Sequence, residues 1–319
     1  MRRYRNIFIF IADELQSSGL LYLKNKGFTI IRCYELSNSE LLYLMSGFRD
    51  LTREPSVLII RSVRMIDKHF IDRLIKSTTV KLICTASSGF DNIDTSYSIK
   101  KGIDVLNVPK GNYVSAAEHT VGLILTIAKN IWQANHDMKK KIYDSTRYQN
   151  FELMGKTIGI IGVGRVGSHV AKIARGFNMN ILGNDIDRSL PAKYKWIKFV
   201  ALNKLLRDSS IITVHTPLDD STRDLLGSKE LKMLKKDAIL INCARGGIVN
   251  EKALIRAIEA EKIYYAGVDV FVNEPDINLK FYKLQNVIMT PHLAGKTNES
   301  RIRISMQLAE SILTYFKKI

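Results

Sequence analysis

Three side chains in the second half of this 319-residue chain stand out by type and setting. Arg245 lies between Ala244 and Gly246-Gly247, where the glycines would clear space around a guanidinium whose planar fork suits a carboxylate. His292 sits in Thr290-Pro291-His292-Leu293-Ala294-Gly295, and an imidazole can exchange a proton near neutral pH. Glu274, in Asn273-Glu274-Pro275, could accept a hydrogen bond from the far imidazole nitrogen and stabilise the imidazolium. Singly, each has a plain reading as a surface ion-pair Arg, a solvated Glu and a loop His. Together they offer an anion clamp and a proton-transfer pair that lack only a redox group.

A place for that group lies near the middle of the chain. Lys156 to Ile161 is an apolar run too short for a helix, and it leads into Gly162-Val163-Gly164-Arg165-Val166-Gly167, with glycines spaced GxGxxG. Such a loop lets backbone N–H groups approach a pyrophosphate, and the N-terminus of the next helix adds partial positive charge. The spacing alone is weak, because glycines also mark ordinary turns. Here Val166, Val170, Ile173, Ala174 and Phe177 follow with helical period, and a second short strand, Met179 to Gly183, ends at Asp185, 18 positions after Gly167. An acid at that spacing accepts hydrogen bonds from the adenosine ribose of NAD and would repel the 2′-phosphate of NADP. NAD is therefore the expected cofactor.

These residues need elements to carry them. Ile7–Ile11, Phe28–Arg32, Val57–Ile60, Val80–Cys84 and Asp104–Val108 read as strands separated by helical stretches, a β-α alternation that implies a parallel sheet covered on both faces. Two loops at its strand ends, Arg61-Ser62-Val63-Arg64 and Thr85 to Asn92, occupy the position where open α/β sheets bind ligands. Small residues at Ala86 to Gly89 could turn amides toward an anion, although without further context a plain turn and a solvated surface pair of Arg61 and Arg64 are the favoured readings of these loops. A single long helix is expected from Ser115 to Lys141, with Glu118-His119 as a satisfied core or interface pair. Beyond Asp185 the alternation resumes with strands at Ser210–His215, Ala238–Cys243, Tyr264–Val270 and Val287–Thr290. Each strand-end loop of this half bears a chemically capable side chain: Asp185, His215, Arg245, Asp269 with Glu274, and His292. Asn298 to Ile319 reads as one amphipathic helix, too small to be a domain, that packs back on an earlier part of the chain.

Composition narrows the alternatives. The apolar fraction of 46% is that of a globular protein, and no apolar run is long enough to span a bilayer. Met1-Arg2-Arg3-Tyr4-Arg5-Asn6 and the apolar run after it look like a signal peptide, but the run stops at Asp13-Glu14 without a cleavage site. Cys33, Cys84 and Cys243 lack metal-ligand spacing and read as buried thiols of a reducing, cytoplasmic compartment, with no metal expected. The net charge of +17 would attract anionic ligands. Its basic residues are scattered, and Lys139-Lys140-Lys141 is too short for a nucleic-acid-binding arm.

The sequence resembles the D-isomer specific 2-hydroxyacid dehydrogenase family over nearly its whole length. The most specific pieces are Ser115-Ala116-Ala117-Glu118-His119-Thr120, Gly155 to Gly167, His215-Thr216-Pro217-Leu218, Asn242 to Glu251, Asp269 to Pro275 and Pro291-His292-Leu293. The resemblance implies a Rossmann NAD-binding domain (108–294) inserted into a flavodoxin-like substrate domain (1–107 and 295–319), with both domains doubly wound parallel sheets. It carries the catalytic Arg, Glu and His onto Arg245, Glu274 and His292. It places Gly162, Gly164, Arg165, Val166, Gly167, Asp185, His215, Thr216, Pro217, Cys243, Ala244, Asp269 and Gly295 around NAD, and Arg61, Ser62, Ser87, Ser88, Gly89, Asn112 and Lys129 around substrate. A cleft that closes over substrate and a homodimer formed through the cofactor domain are further implications. Arg61-Ser62, Gly111-Asn112 and the Asn242–Glu251 run most resemble members that oxidise 3-phosphoglycerate for serine biosynthesis, in a short form whose end at residue 319 implies no serine feedback. Thr85-Ala86-Ser87-Ser88-Gly89 departs from the Arg-Ala-Gly-x-Gly of many members, and Lys129 stands where an Arg is common. Glyoxylate or hydroxypyruvate reduction, erythronate-4-phosphate oxidation and an NAD-sensing corepressor or scaffold remain the alternatives.

Overall fold

The computed structural model describes residues 4, 6–62 and 64–318, so Met1-Arg2-Arg3 and Arg5 of the leader-like stretch, and Val63, lie outside the described residues. The chain forms two compact units, Met1–Asn112 with Thr297–Ile319, and Tyr113–Lys296. In the first unit β1 (Phe8–Ile11), α1 (Ser17–Asn25), β2 (Thr29–Arg32), α2 (Asn38–Ser46), β3 (Ser56–Ile60), α3 (Lys68–Ser77), β4 (Val80–Thr85), α4 (Thr95–Lys100) and β5 (Asp104–Leu106) alternate. The strands pair in parallel in the order β2-β1-β3-β4-β5. Successive strand residues point to opposite faces, which explains the unbroken apolar runs. Ile9, Ile11, Val57 and Ile59 enter one core, and Phe10, Leu58 and Ile60 the other. Helix starts follow from short polar side chains: Ser37 and Glu40 form a reciprocal capping box on α2, and Asp67 accepts from the Phe70 amide on α3 at 2.8 Å.

The second unit opens with α5 (Tyr113–Ala128) and α6 (Ile131–Lys139). The single long helix expected over 115–141 is thus two. Asn130 between them has φ +46°, a left-handed conformation that asparagine tolerates, and its Nδ2 donates to the Gln149 carbonyl at 3.1 Å and to Asn150 Oδ1 at 3.0 Å. Hydrophobic periodicity cannot reveal such a break, because both pieces are helical. There follow β6 (Thr157–Ile161), α7 (Arg165–Gly176), β7 (Asn180–Asn184), α8 (Leu190–Lys193), β8 (Lys198–Phe199), α9 (Leu202–Asp208), β9 (Ile211–Val214), α10 (Ser228–Leu231), β10 (Ile239–Asn242), α11 (Glu251–Glu259), β11 (Tyr265–Val268) and β12 (Val287–Met289). The seven strands are parallel in the order β12-β11-β10-β9-β6-β7-β8. This sheet also separates two cores, with Ile158, Ile160 and Ile241 on one face and Ile161, Ile212 and Leu240 on the other.

The last helix, α12 (Asn298–Lys318), returns to the first unit. Leu308, Ala309, Ile312 and Phe316 join the core of Ile9 and Val57, and Ser305 Oγ accepts from the Gly19 amide of α1 at 2.9 Å. Among the described residues no helix is long and apolar enough to cross a membrane. Each sheet has one point where the strand order reverses, between β1 and β3 in the first unit and between β6 and β9 in the second, and ligands of open α/β sheets bind at the carboxyl ends beside such points.

Candidate active site

The glycine loop stands at the reversal point of the second sheet. Gly162 has φ +86°, and a Cβ there would lie 2.8 Å from the carbonyl carbon of His215, so the end of β9 closes tightly over the loop. At Gly167 a Cβ would meet the Gly162 carbonyl oxygen at 2.0 Å, and the first turn of α7 packs on the loop because no side chain intervenes. Gly164 opens into free space and caps α7 without a side-chain hydrogen bond, and the first turn contains no acid. A twelve-residue helix therefore presents its amide end to an anion. Arg165 is exposed and Val166 half-buried against the core. Asp185 Oδ2 accepts from the Val163 amide at 2.6 Å and Oδ1 from the Asp187 amide at 2.9 Å, so the acid also staples the loop it faces. On the neighbouring strand end, Thr216 Oγ1 is buried without a hydrogen-bond partner and Pro217 is exposed. An unclaimed polar atom beside an open amide cradle fits a bound dinucleotide.

Arg245, Glu274 and His292 lie in the loops that follow β10, β11 and β12. His292 Nδ1 lies 2.7 Å from Glu274 Oε2, while Glu274 Oε1 accepts from the Phe271 amide at 2.8 Å. Burial would push the Glu274 carboxyl up, but the hydrogen bonds from His292 and Phe271 and the charges of His292 and Lys296 outweigh it and hold the group below its ordinary value. With Nδ1 engaged, His292 Nε2 is the ring nitrogen left for a substrate. The residue has φ +53°, a conformation sparsely populated by non-glycine residues, and its amide donates to the Asp269 and Thr290 carbonyls at 2.9 and 3.0 Å. Arg245 follows β10, with its carbonyl bonded by Asn242 Nδ2 at 3.0 Å and its own Nη1 donating to the Ala244 carbonyl at 2.7 Å. Gly246 has a different reason from the one its sequence setting implies. A Cβ there would lie 2.0 Å from the carbonyl carbon of Phe271, so the glycine admits neighbouring backbone rather than clearing space for the guanidinium.

Other expected cofactor contacts prove more internal. Asp269 is fully buried: Oδ1 accepts from the Thr290 hydroxyl at 2.5 Å and the Leu293 amide at 2.7 Å, and Oδ2 accepts from the Ala294 amide at 2.9 Å, just before Gly295. It braces the His292 loop. His215 lies 2.9 Å through Nε2 from Thr213 Oγ1, and burial pushes its pKa down to about 3, so it is a neutral group near the glycine loop. Burial likewise pushes the Cys243 thiol up to about 12, leaving it protonated and unreactive. Lys129 is exposed just past the end of α5.

In the first unit, Arg61 follows β3 at the reversal point. Its amide donates to Asp13 Oδ2 at 2.8 Å and its carbonyl accepts from Asn92 Nδ2 at 3.2 Å. Arg64 is not the solvated surface residue that its sequence setting allows. Its guanidinium donates to Asp13 at 3.2 Å, Asn38 Oδ1 at 2.8 Å and the Ala12 and Leu36 carbonyls at 3.3 and 3.0 Å, bracing the loop from within. Ser62 is exposed beside Arg61. Ser87 turns its hydroxyl inward, donating to the Gly89 carbonyl at 2.5 Å and accepting from Thr85, and the Ser88 hydroxyl donates to Asn112 Oδ1. The 85–89 loop is a built turn, and its hydroxyls are largely committed to it.

A parallel sheet with an amide cradle at its reversal point, and a paired Glu and His on an adjoining strand end, defines a dinucleotide-binding α/β protein. Residues 121–294 match the model of the D-isomer specific 2-hydroxyacid dehydrogenase NAD-binding domain. Over 307 residues, 95% of this chain and 56% of the relative, the chain is 36% identical to a D-3-phosphoglycerate dehydrogenase of Methanocaldococcus jannaschii. Over 318 residues, 98% of each protein, it is 34% identical to a hydroxypyruvate reductase of Thermotoga maritima. A D-lactate dehydrogenase of Aquifex aeolicus solved with NAD and lactic acid superposes with a TM-score of 0.80 at 28% identity, covering 98% of this chain and 96% of that one. The chain belongs to the D-isomer specific 2-hydroxyacid dehydrogenase family, and NAD is the cofactor its inserted domain accommodates. It spans 56–57% of the length of the D-3-phosphoglycerate dehydrogenases it matches first.

Proposed function

We propose that this protein oxidises an anionic D-2-hydroxy acid to the 2-keto acid with NAD, and that 3-phosphoglycerate is the foremost substrate. The observation that carries the reading is the 2.7 Å contact between His292 Nδ1 and Glu274 Oε2, which leaves Nε2 to take the hydroxyl proton. Bound NAD supplies the hydride acceptor. Arg245 holds the carboxylate and the C2 oxygen, and Glu274 orients the imidazole and balances the charge it gains. Gly162, Gly164, Arg165, Val166, Gly167 and Asp185 hold the pyrophosphate and ribose, and His215, Thr216, Pro217, Cys243, Ala244 and Gly295 line the rest of the cofactor site.

On this reading the Met1–Asn112 unit with α12 is the substrate domain. The amides of Ser88 and Gly89 assist the carboxylate, and Arg61 meets the phosphate, with Ser62, Ser87, Asn112 and Lys129 as further contacts. Arg61 follows β3 at a sheet reversal point, on a main chain fixed from both sides. The second reading is hydroxypyruvate or glyoxylate reduction, favoured by the relative that matches end to end. A homodimer through the NAD-binding domain, in the cytoplasm where three buried free thiols stay reduced, completes the proposal.

Steady-state kinetics on 2-hydroxy and 2-keto acids with and without a phosphate, using NAD(H) and NADP(H), tests it. The expected result is the highest kcat/KM with 3-phosphoglycerate and NAD, and loss of that preference in Arg61→Ala. Activity confined to glyoxylate and hydroxypyruvate would transfer the assignment to the second reading. His292→Asn is expected to lower kcat by roughly 10²- to 10⁴-fold with any of these substrates. Full turnover in that variant rules out the proton-transfer role.

A further inference from the structure

A histidine outside the Arg245, Glu274 and His292 set is tied to the catalytic loop. His119, on α5, has only 23% of its side chain exposed, and its Nε2 lies 3.1 Å from Thr290 Oγ1 and 3.5 Å from Asp269 Oδ1. Thr290 Oγ1 in turn donates to Asp269 Oδ1 at 2.5 Å. A threonine hydroxyl has one proton, and the carboxylate can only accept, so that proton is committed to Asp269. Thr290 Oγ1 can then only accept from the imidazole, which assigns the His119 proton to Nε2 whether the ring is neutral or charged. The chain of donors runs in one direction, from His119 to Thr290 to Asp269, and the same Asp269 oxygen receives the Leu293 amide at 2.7 Å. Asp269 Oδ2 receives the Ala294 amide, and its carbonyl receives the His292 amide at 2.9 Å.

We propose that His119 is a positioning residue: through Thr290 and Asp269 it holds the 290–294 loop in the conformation that keeps His292 Nδ1 on Glu274. The inference rests on the reading of His292 as the proton-transfer group. A buried carboxylate serving several donors has one best arrangement when all of them are present, and removal of the outermost leaves the Thr290 hydroxyl free to rotate away from Asp269 Oδ1, the oxygen that also receives the Leu293 amide. Because His292 occupies a left-handed conformation, its backbone has a more populated alternative to relax into. Small misplacement of a reacting group has large kinetic consequences.

Kinetics on the full chain decide it. His119→Leu removes the donor and is expected to lower kcat roughly tenfold or more. NADH affinity, measured by fluorescence titration, stays unchanged, and the isotope effect with C2-deuterated hydroxy acid rises as the chemical step becomes limiting. His119→Gln can present an N–H at the position of Nε2 and is expected to recover most of kcat. Thr290→Val keeps the shape, removes the middle of the chain, and carries the test should His119→Leu fold poorly. Its loss is expected to match that of His119→Leu, with little further loss in the double variant. An unaltered kcat in both single variants, equal impairment of the Leu and Gln variants, or fully additive losses would overturn the proposal. Full turnover in His292→Asn would instead overturn the reading beneath it.

Discussion

At the scale of single residues, the paired Glu274 and His292 separate two roles for one contact. Glu274 anchors the loop through the Phe271 amide and supports the imidazole through its second oxygen. Its carboxyl is held below the ordinary value of about 4.3, so its contribution to stability is fully present above that pH and is lost as pH falls through the lower, folded value. Urea unfolding of the wild type and of Glu274→Gln is therefore expected to show a stability gap at neutral pH that closes at acid pH. A gap that does not change with pH would contradict the assignment. Asp185 is proposed to serve twice, because the carboxylate assigned above to the ribose also holds the Val163 amide of the glycine loop. Asp185→Ser is expected to lower the NAD to NADP preference and to weaken NAD binding by roughly ten- to a hundredfold, the scale of a lost charge-assisted hydrogen bond. An unchanged cofactor ratio in titration calorimetry would refute it.

At the scale of elements, the loops work because rigid strands end beneath them. β10 and β11 run in register, and the Asp269 amide donates to the Asn242 carbonyl at 3.0 Å, so the loops of Arg245 and Asp269 start from one tied edge. The same principle holds α12 on the first unit, where Leu308 has no exposed surface. Leu308→Ala is expected to cost about 2–5 kcal/mol in chemical denaturation, because the cavity forms between a helix and a sheet from opposite ends of the sequence. NADH binding, which belongs to the other unit, is expected to be unaffected, and a parallel loss of both would show the two units to unfold as one. The β-α order and the glycine loop were legible in advance because each is local: short unbroken apolar strands, a turn of fixed glycine spacing, an acid at the next strand end. The break at Asn130 and the short β8 were not, since two helical pieces keep one period and a two-residue strand has none.

At the scale of the whole molecule, a net charge of +17 on a chain whose expected substrates are anions points to electrostatic steering. kcat/KM is expected to fall as ionic strength rises from about 0.01 to about 0.15 M, more steeply for a phosphorylated than for an unphosphorylated hydroxy acid. Equal salt slopes in stopped-flow or initial-rate measurements would show that the positive charge lies elsewhere than along the approach.

The amino-acid sequence by itself determined two parallel α/β sheets, a dinucleotide loop in the middle of the chain, and the candidates Arg245, Glu274 and His292, because these follow from periodicity and short spacings along the chain. Only the tertiary structure decided that Asp269 turns to the His292 loop, that Arg64 braces the Arg61 loop from within, and that His119 meets a threonine 171 residues further on. Such contacts depend on the order in which parallel strands assemble after long crossovers, and that order leaves no local pattern in the residues it brings together.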